Sequence, residues 1–189
     1  MALRENGLVD SVTALALRAR DGDRPALTRF IQLTQGDVWR MCRHMVDANS
    51  ADDLTQDVFE RAISALHRLT PESNAKSWLL GVARHVCIDE IRRRVRRTKR
   101  DNLYRATFDE SAEAVNDLPI EWREQLSALD EDKRLAFVLT QVVGLSYEEA
   151  AEVAGCPIGT IRSRVARARL ELLDAVVRLD SNNRSSDAV

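Results

Sequence analysis

Helical periodicity extends through almost the whole of this 189-residue chain, and it restricts the chain to an α-helical fold. In the stretch 21–46, apolar side chains recur three and four positions apart, which places them on one face of a helix. These residues are Leu27, Phe30, Ile31, Val38, Met41, Cys42 and Met45. Strict alternation of apolar and polar residues, the pattern of a half-buried strand, never extends beyond a few positions. The sequence therefore predicts an all-α protein.

The composition excludes two broad classes of protein. Hydrophobic residues make up 44% of the chain and charged residues 31%, which is typical neither of a disordered protein nor of a membrane protein. The longest apolar stretch, residues 135–145, contains Thr and Gln and is too short to cross a bilayer. Polar residues near the N-terminus interrupt the apolar segment that a secretory signal requires. We therefore expect a cytoplasmic protein that does not bind membranes.

The three cysteines, Cys42, Cys87 and Cys156, are widely separated in the sequence. An odd count without a CxxC pair does not predict a disulfide framework. His85 lies two positions from Cys87, and Cys42 lies two positions from His44, so that on a helix the side chains of each pair diverge. We therefore expect buried or half-buried thiols, no metal site and no cofactor.

Charge and periodicity divide the chain into two small helical domains joined by a tether. The first domain is predicted to span residues 10–97 and the second residues 119–179. Between them, apolar periodicity is lost, and the segment 101–117 carries five acidic residues against one base. We therefore expect residues 98–118 to form a flexible, acidic linker. The polar residues 180–189 are predicted to form a disordered tail.

Residues 144–173 have the pattern of a helix-turn-helix. Ser146 and Glu149 have the spacing of a capping box, which begins a first short helix. Gly155 suits a left-handed helix end and Pro157 prevents the helix from continuing, so a second helix is predicted to open at Thr160. In a helix-turn-helix the second helix enters the major groove of DNA.

The predicted second helix has an apolar face at Ile161, Val165, Ala168 and Leu172, and an arginine-rich face opposite. Arginine can donate two parallel hydrogen bonds to guanine or clamp a phosphate. The candidate DNA-binding residues are Thr160, Arg162, Ser163, Arg164, Arg167 and Arg169. Arg162, Ser163 and Arg167 are favoured for contact with bases. Arg164 and Arg169 either hold phosphates or pair with an acid such as Glu171. A helical hairpin with a solvated arginine face is the alternative interpretation.

An acidic stripe is predicted on the helix that follows Ser50, which has the residue type of a helix cap. Leu54, Val58 and Ile63 are placed near the core side of this helix. Asp53, Asp57 and Glu60 recur at i, i+4 and i+7, with Gln56 beside them. The stripe is either an ordinary solvated surface or a docking face for a basic protein partner.

A tryptophan-bearing basic helix follows the turn at residues 70–74. Leu79, Val82, Val86 and Ile91 follow core spacing, and the remaining surface carries Trp78, Arg84, His85, Asp89, Arg92 and Arg93. Aromatic and arginine side chains together can stack on unpaired bases and hold their backbone, although Trp78 can equally belong to the core. Seven of the nine residues 92–100 are Arg or Lys, and so many cations repel each other unless a polyanion neutralises them.

These motifs resemble those of bacterial group IV, or extracytoplasmic-function (ECF), RNA polymerase sigma factors of the sigma-70 family, and are similar to actinobacterial members. ADDLTQDVFERA is similar to the family's region 2.2, WLLGVARHVCIDEIRRR to regions 2.3 and 2.4, and GLSYEEAAEVAGCPIGTIRSRVARAR to region 4.2. The resemblance covers almost the entire chain. It implies a region 2 helical bundle in the first domain and a region 4 helix-turn-helix in the second.

The resemblance also implies a partner for each surface. Region 2.2 of the family docks on the β′ clamp helices of core RNA polymerase, which implies polymerase contacts by Asp53, Gln56, Asp57 and Glu60. Region 2 binds the promoter −10 element and captures an unstacked base, which implies DNA contacts by Trp78, Arg84, His85, Arg92 and Arg93. The loop 67–74 is implied to help form the base pocket, and His85 departs from the amide of other members. Region 4 reads the −35 element and contacts the β flap, and Ala166 replaces a bulky residue of some members.

The function implied is promoter-specific transcription initiation without enzymatic activity, regulated in a stress or envelope response. An anti-sigma protein is a further implied partner, and the acidic linker is implied to pass near the RNA exit path. Two alternatives are kept. One is a helix-turn-helix transcriptional regulator that does not depend on core polymerase. The other is a DNA-processing enzyme, which would need a cluster of carboxylates to hold a metal ion.

Overall fold

The structure, a computed structural model, describes residues 12–101 and 125–186, and the side chains of these residues except for 99–101 and 176–186. Every regular element in these residues is a helix, which confirms the all-α prediction. The chain divides into two compact units, Met1–Ala112 and Glu113–Val189. Across the described residues, no helix combines the length and the apolar character that a bilayer span requires.

The described part of the first unit begins with helical residues 12–20 and continues with three longer helices. These are α1 (Arg24–Met45), α2 (Ala51–Ala65) and α3 (Ala75–Asp101), with a 3-10 turn at Leu66–Arg68 after α2. The three helices pack on one another around a core that includes Phe30, Met41, Met45, Leu79 and Leu80. The apolar face predicted for α1 is buried or half-buried throughout, which confirms that prediction.

The second unit contains a short bundle. Helical residues 125–128 precede α4 (Glu131–Phe137), whose last residue leads into a π-helical turn at Val138–Val142. Helices α5 (Tyr147–Ala154) and α6 (Ile158–Ser186) follow. Leu126 and Leu129 pack with Ala168 and Leu172 of α6, which joins the first described residues of the unit to α6.

One predicted core position of α2 is wrong. Leu54 and Val58 are buried as expected, but the Ile63 side chain is 43% exposed. The buried face of α2 instead continues through Phe59 and Ala62. The reason is the helical repeat of 3.6 residues, which places Ile63 three positions after Glu60 and therefore on the same side as the acidic stripe.

Ser50 stands at the predicted N-cap of α2, but its side chain makes no capping hydrogen bond. Its backbone N–H instead donates to Asp47 Oδ1 at 2.9 Å, and its hydroxyl accepts a hydrogen bond from Arg94 Nη2 at 2.5 Å. The position of the helix start is thus confirmed, whereas the expected use of the hydroxyl is wrong. A partner from a distant part of the sequence has replaced the local one.

Two helices extend beyond the predicted domain boundaries. Helix α3 continues to Asp101, so that the first residues of the predicted linker 98–118 are helical, and the rest of that linker lies outside the described residues. Helix α6 continues to Ser186, within the predicted disordered tail 180–189. No Gly or Pro follows Gly159 in α6, so nothing in the sequence forces that helix to end earlier.

Candidate nucleic-acid and polymerase interfaces

The helix-turn-helix predicted from the sequence is present in the second unit. Ser146 Oγ accepts a hydrogen bond from the Glu149 backbone N–H at 3.2 Å, and the Glu149 carboxylate accepts one from the Ser146 N–H at 2.9 Å. This is the capping box that the sequence predicts. Gly155 ends α5 in the left-handed conformation, with φ 65°, which a residue with a side chain adopts only at a cost. Helix α6 then begins at Ile158, two residues before the predicted start at Thr160.

The second helix of this motif has two distinct faces. Its predicted apolar residues, Ile161, Val165, Ala168 and Leu172, are all buried, which confirms the orientation of the helix. Arg162, Ser163 and Arg167 are exposed. Within the described residues neither of these arginines has an ion-pair partner, whereas the Ser163 hydroxyl donates to the Thr160 carbonyl at 2.9 Å. Two guanidinium groups on the exposed face of α6 are thus available to an external acceptor.

Two further arginines of α6 are bonded within the unit. Arg164 forms an ion pair with Asp132 and also approaches Cys156 Sγ at 3.6 Å. Arg169 donates to the side-chain carbonyl of Gln141 at 2.7 Å. Of the two roles left open for these arginines, pairing with an acid is confirmed for Arg164, although its partner is Asp132. Glu171 bonds instead to Lys133 at 2.8 Å. Arg164 and Arg169 therefore fasten α6 to α4 and to the π-helical turn that follows it.

The acidic stripe lies on the outer surface of α2. Asp53, Gln56 and Glu60 are exposed, and Gln56 Nε2 donates to Glu60 Oε1 at 2.9 Å. Asp57 is half-buried and accepts two hydrogen bonds from Arg61, at 2.9 and 2.8 Å, which raise the pKa of Arg61. The charge of Asp57 is therefore already balanced inside the unit. Asp53 and Glu60 carry the net negative charge of the stripe. The exposed Ile63 extends the same face of α2 with an apolar side chain.

The start of α3 presents the predicted aromatic and basic residues. Trp78 and Arg84 are half-buried, whereas His85, Arg92 and Arg93 are exposed. Trp78 is thus neither fully in the core nor fully in solvent. His85 follows Trp78 by seven residues, so the two lie on the same side of the helix, about 10 Å apart along its axis.

The ring of His85 has a defined hydrogen-bonding state. His85 Nδ1 lies 2.7 Å from the Gly81 carbonyl oxygen. Because a carbonyl oxygen can only accept, Nδ1 carries a proton and donates it. This bond fixes the orientation of the ring on α3.

Arg94 was missed as a structural residue, because the sequence groups it with the cations of residues 92–100. Its guanidinium bonds to Glu90 at 2.7 Å, to the Ser50 hydroxyl and to Asp47. Burial raises the pKa of Glu90, but hydrogen bonds from Arg93 and Arg94 outweigh burial and hold this pKa below 4.5. Glu90 lies four residues before Arg94, and that spacing was the signal in the sequence for part of this network.

The thiols of Cys42 on α1 and Cys87 on α3 are buried, free and 3.9 Å apart, and Cys156 is half-buried. This confirms the prediction of buried or half-buried thiols. In residues 12–101 and 125–186, no three His, Cys, Asp or Glu side chains are grouped so that they could hold a metal ion.

Comparison with known proteins identifies the class. Residues 30–97 match the family model for sigma-70 region 2, and residues 120–172 match that for sigma-70 region 4. The chain is 48% identical over 170 residues to the ECF RNA polymerase sigma factor SigC of Mycobacterium tuberculosis, covering 87% of this chain and 90% of that protein. It is 30% identical over 185 residues to the ECF RNA polymerase sigma-E factor of Escherichia coli K12, covering 90% and 95%.

Two solved structures are similar to most of the chain. One is CnrH in complex with the cytosolic domain of CnrY, with a TM-score of 0.69, 25% identity, and coverage of 90% of this chain and 99% of that one. The other is the sigma factor RpoE in complex with the anti-sigma factor NepR from Bartonella quintana, with a TM-score of 0.68, 28% identity, and coverage of 79% and 96%.

The chain belongs to the sigma-70 family, and within it to the ECF, or group IV, sigma factors. It therefore functions in promoter-specific transcription initiation together with RNA polymerase. The alternative of a regulator that acts without the polymerase is not favoured, because both units match regions of sigma factors.

Proposed function

We propose that this sigma factor uses three separate surfaces for its three contacts. The acidic stripe of α2 contacts core polymerase, the Trp78 side of α3 contacts the opened −10 strand, and the arginine face of α6 reads the −35 duplex. The main support for this assignment is that exposed acidic and exposed basic side chains cluster on different helices. Exposed acids cluster on α2, whereas exposed arginines cluster on α3 and α6. Opposite charges on separate helices suit a basic protein partner and a polyanion.

At the −35 element, Arg162, Ser163 and Arg167 are proposed to contact base edges. Support comes from their exposure at the N-terminal turns of the second helix of a helix-turn-helix. Thr160, Arg164 and Arg169 are proposed to position that helix and to meet phosphates. Arg167→Ala should reduce discrimination between −35 sequences by about 1–3 kcal/mol, the usual value of a good base contact.

The matched control at −35 is Arg169→Ala, which removes the same charge from a residue bonded to Gln141. It should weaken binding to all promoters alike and leave the sequence preference unchanged. Competition between wild-type and mutated −35 promoters for the holoenzyme measures both effects. Unchanged selectivity of the Arg167→Ala variant would refute the assignment.

At the −10 element, we propose that an unstacked base lies against Trp78 and forms a hydrogen bond with His85. The phosphates of the same strand are proposed to contact Arg84, Arg92 and Arg93. The half-exposed Trp78 and the exposed His85, whose Nδ1 lies 2.7 Å from the Gly81 carbonyl oxygen, support this assignment. Trp78→Ala should weaken the binding of single-stranded −10 DNA to the holoenzyme by about 1–3 kcal/mol, the value of one stacked base. Equal affinity of wild type and variant for that strand would contradict the proposal.

On core polymerase, the proposed contacts are made by Asp53, Gln56, Asp57 and Glu60, docked on the β′ clamp helices, with a second contact between the helix-turn-helix unit and the β flap. Asp53 is the sharpest probe, because it is exposed and its reversal breaks no bond shown among the described residues. Asp53→Arg should weaken core binding, whereas Glu72→Arg, which reverses an exposed acid outside the stripe, should not. Equal core affinities for the two variants would exclude the stripe as the docking face.

The proposed mechanism consists of binding alone. Each unit binds promoter DNA weakly, and the polymerase holds both at the correct separation, so that tethering makes the combined contact tight. The linker 98–118 is proposed to run along the RNA exit path, where its acids resemble the charge of RNA. Run-off transcription from a cognate promoter with core polymerase should require this chain. A transcript that appears only with another sigma factor would overturn the proposal.

An anti-sigma protein is proposed as a further partner, released in a stress or envelope response. The support is that the similar sigma factor RpoE was solved in complex with the anti-sigma factor NepR. A cognate inhibitor in equimolar amount should abolish both core binding and run-off transcription. Transcription that persists when the inhibitor is bound would contradict this role.

A further inference from the structure

The helical residues 12–20 bond to both ends of the loop that precedes α3. Arg20 Nη1 donates to the Leu69 carbonyl oxygen at 2.9 Å, and the Ala75 N–H donates to Thr13 Oγ1 at 3.2 Å. Residues 69–75, called here the Trp-helix loop, are therefore held at their beginning and at their end by one segment. That segment lies outside residues 30–97, the part of the chain that matches the region 2 family model.

The two contacts come from one face of the N-terminal segment. Thr13 and Arg20 are seven residues apart, which on a helix corresponds to two turns and a separation of about 10 Å along the axis. Val12 and Ala16 are buried and seat the segment against the unit. Arg20 is further oriented by an ion pair with Asp21 at 3.0 Å. The segment is thus a rigid brace of nearly fixed length between the two ends of the loop.

Thr13 also completes the N-terminus of the helix that carries Trp78. The first four N–H groups of a helix have no partner within it. Asn74 Oδ1 accepts from Lys76 and Ser77, each at 3.0 Å, and the Asn74 carbonyl accepts from Trp78 at 2.9 Å. The remaining N–H belongs to the buried Ala75, and Thr13 is its acceptor.

Between its fixed ends, the loop is a compact turn. The Ser73 N–H donates to the Thr70 carbonyl at 3.0 Å, and the hydroxyls of these two residues lie 3.0 Å apart. Leu69 is buried at the beginning of the loop. On the far side, Lys76 bonds to Asp37 of α1 at 2.8 Å. The conformation of the loop therefore depends on contacts at its ends more than on a regular element.

We propose that Thr13 and Arg20 are positioning residues for the −10 base pocket, because they hold the Trp-helix loop in its binding conformation. This inference rests on the proposed role of Trp78 in capturing an unstacked −10 base, and on the part in that pocket which the resemblance implies for the loop. A loop that is already ordered does not lose conformational freedom when the base enters, and its shape distinguishes bases. Without the brace, the ordering would oppose binding and the pocket would accept other bases.

Two pairs of variants test the brace in the holoenzyme. Thr13→Val removes the acceptor at nearly unchanged shape, and Thr13→Ser keeps it. Arg20→Met removes the donor to Leu69, and Arg24→Met removes a nearby exposed arginine that makes no such contact. The measurements are the affinity for single-stranded −10 oligonucleotides carrying each base at the captured position, the affinity for core polymerase, and hydrogen exchange at residues 69–75.

Thr13→Val and Arg20→Met should each weaken binding of the preferred strand about two- to tenfold, the effect of one hydrogen bond. Each should also reduce the difference in affinity between strands that carry the preferred base and strands that carry another base. Hydrogen exchange should rise at residues 69–75 while core affinity stays within about twofold. Thr13→Ser and Arg24→Met should behave as wild type. Unchanged strand affinity and base preference in both disruptive variants would overturn the proposal, as would a loss of core affinity as large as the loss of strand affinity.

Failure of the brace can be separated from failure of the pocket. If Trp78→Ala loses strand binding while Thr13→Val does not, the proposed role of Trp78 is supported and the positioning role of Thr13 is wrong. If wild type shows no preference among bases and Trp78→Ala binds as tightly, the proposed −10 role itself is wrong, and the inference falls with it.

Discussion

Arg94 provides the sharpest test of how this chain divides its cations between stability and DNA binding. Its guanidinium bonds to Glu90 at 2.7 Å, to the Ser50 hydroxyl at 2.5 Å and to Asp47, which links α3 to the start of α2. Replacing it with methionine keeps the aliphatic stem and removes all of these bonds. We expect Arg94→Met to destabilise the first unit and to leave DNA affinity nearly unchanged.

The expected magnitude follows from burial. The Glu90 side chain is only 10% exposed, so losing a hydrogen-bonded cation there would cost about 1.5–3 kcal/mol if the pair were buried. The Arg94 side chain is 42% exposed, however, and solvent screening reduces the value of such a pair. We therefore expect a loss of about 1–2 kcal/mol, which lowers the Tm of a unit of this size by about 5–15 °C.

Thermal unfolding followed by circular dichroism measures the stability, and binding of the holoenzyme to promoter DNA measures the function. The matched control is Arg92→Met, which removes an exposed cation of the same run. It should leave the Tm unchanged and weaken DNA binding, with a shallower dependence on salt. If Arg94→Met unfolds like wild type, or if both variants lose DNA affinity equally, the structural role of Arg94 is refuted.

Three further predictions follow from local contacts. Ser146→Ala should cost about 1 kcal/mol of stability in the second unit, measured by urea unfolding, because it removes half of the capping box; a midpoint equal to that of wild type would contradict this. Because the folded state lowers the pKa of Glu90 from 4.5, its contribution to stability is present above about pH 4.5 and is lost as the pH falls through the lowered value. Glu90→Gln should therefore flatten the decline of Tm below pH 4.5, and an unchanged slope would count against the Glu90 ion pairs. A thiol reagent should modify Cys156 quickly in the native protein, whereas Cys42 and Cys87 should react only after denaturation. The reason is that both thiols are buried, and a hydrogen bond with Cys42 raises the pKa of the Cys87 thiol. Prompt reaction of all three thiols in the native protein would be evidence against this packing.

The sequence by itself determined the features that depend on short spacings. The capping box of Ser146 and Glu149, the left-handed end at Gly155 and the buried stripe of α6 all agree with the prediction. Each depends on residues at most a few turns apart on one helix, and the geometry of a helix makes such spacings equivalent to distances. The motifs that resemble a sigma factor belong to this kind of feature, and the family matches confirm them.

Only the tertiary structure decided which charged side chains remain available to a partner. Arg94 meets Asp47 across 47 positions of sequence, and Arg164 meets Asp132 across 32. Arg20 reaches the Leu69 carbonyl across 49 positions. The periodicity of one helix states which face is polar, but not which other helix lies opposite that face. That choice is made by the packing of the cores, and it separates the arginines that bond within the fold from those that remain exposed.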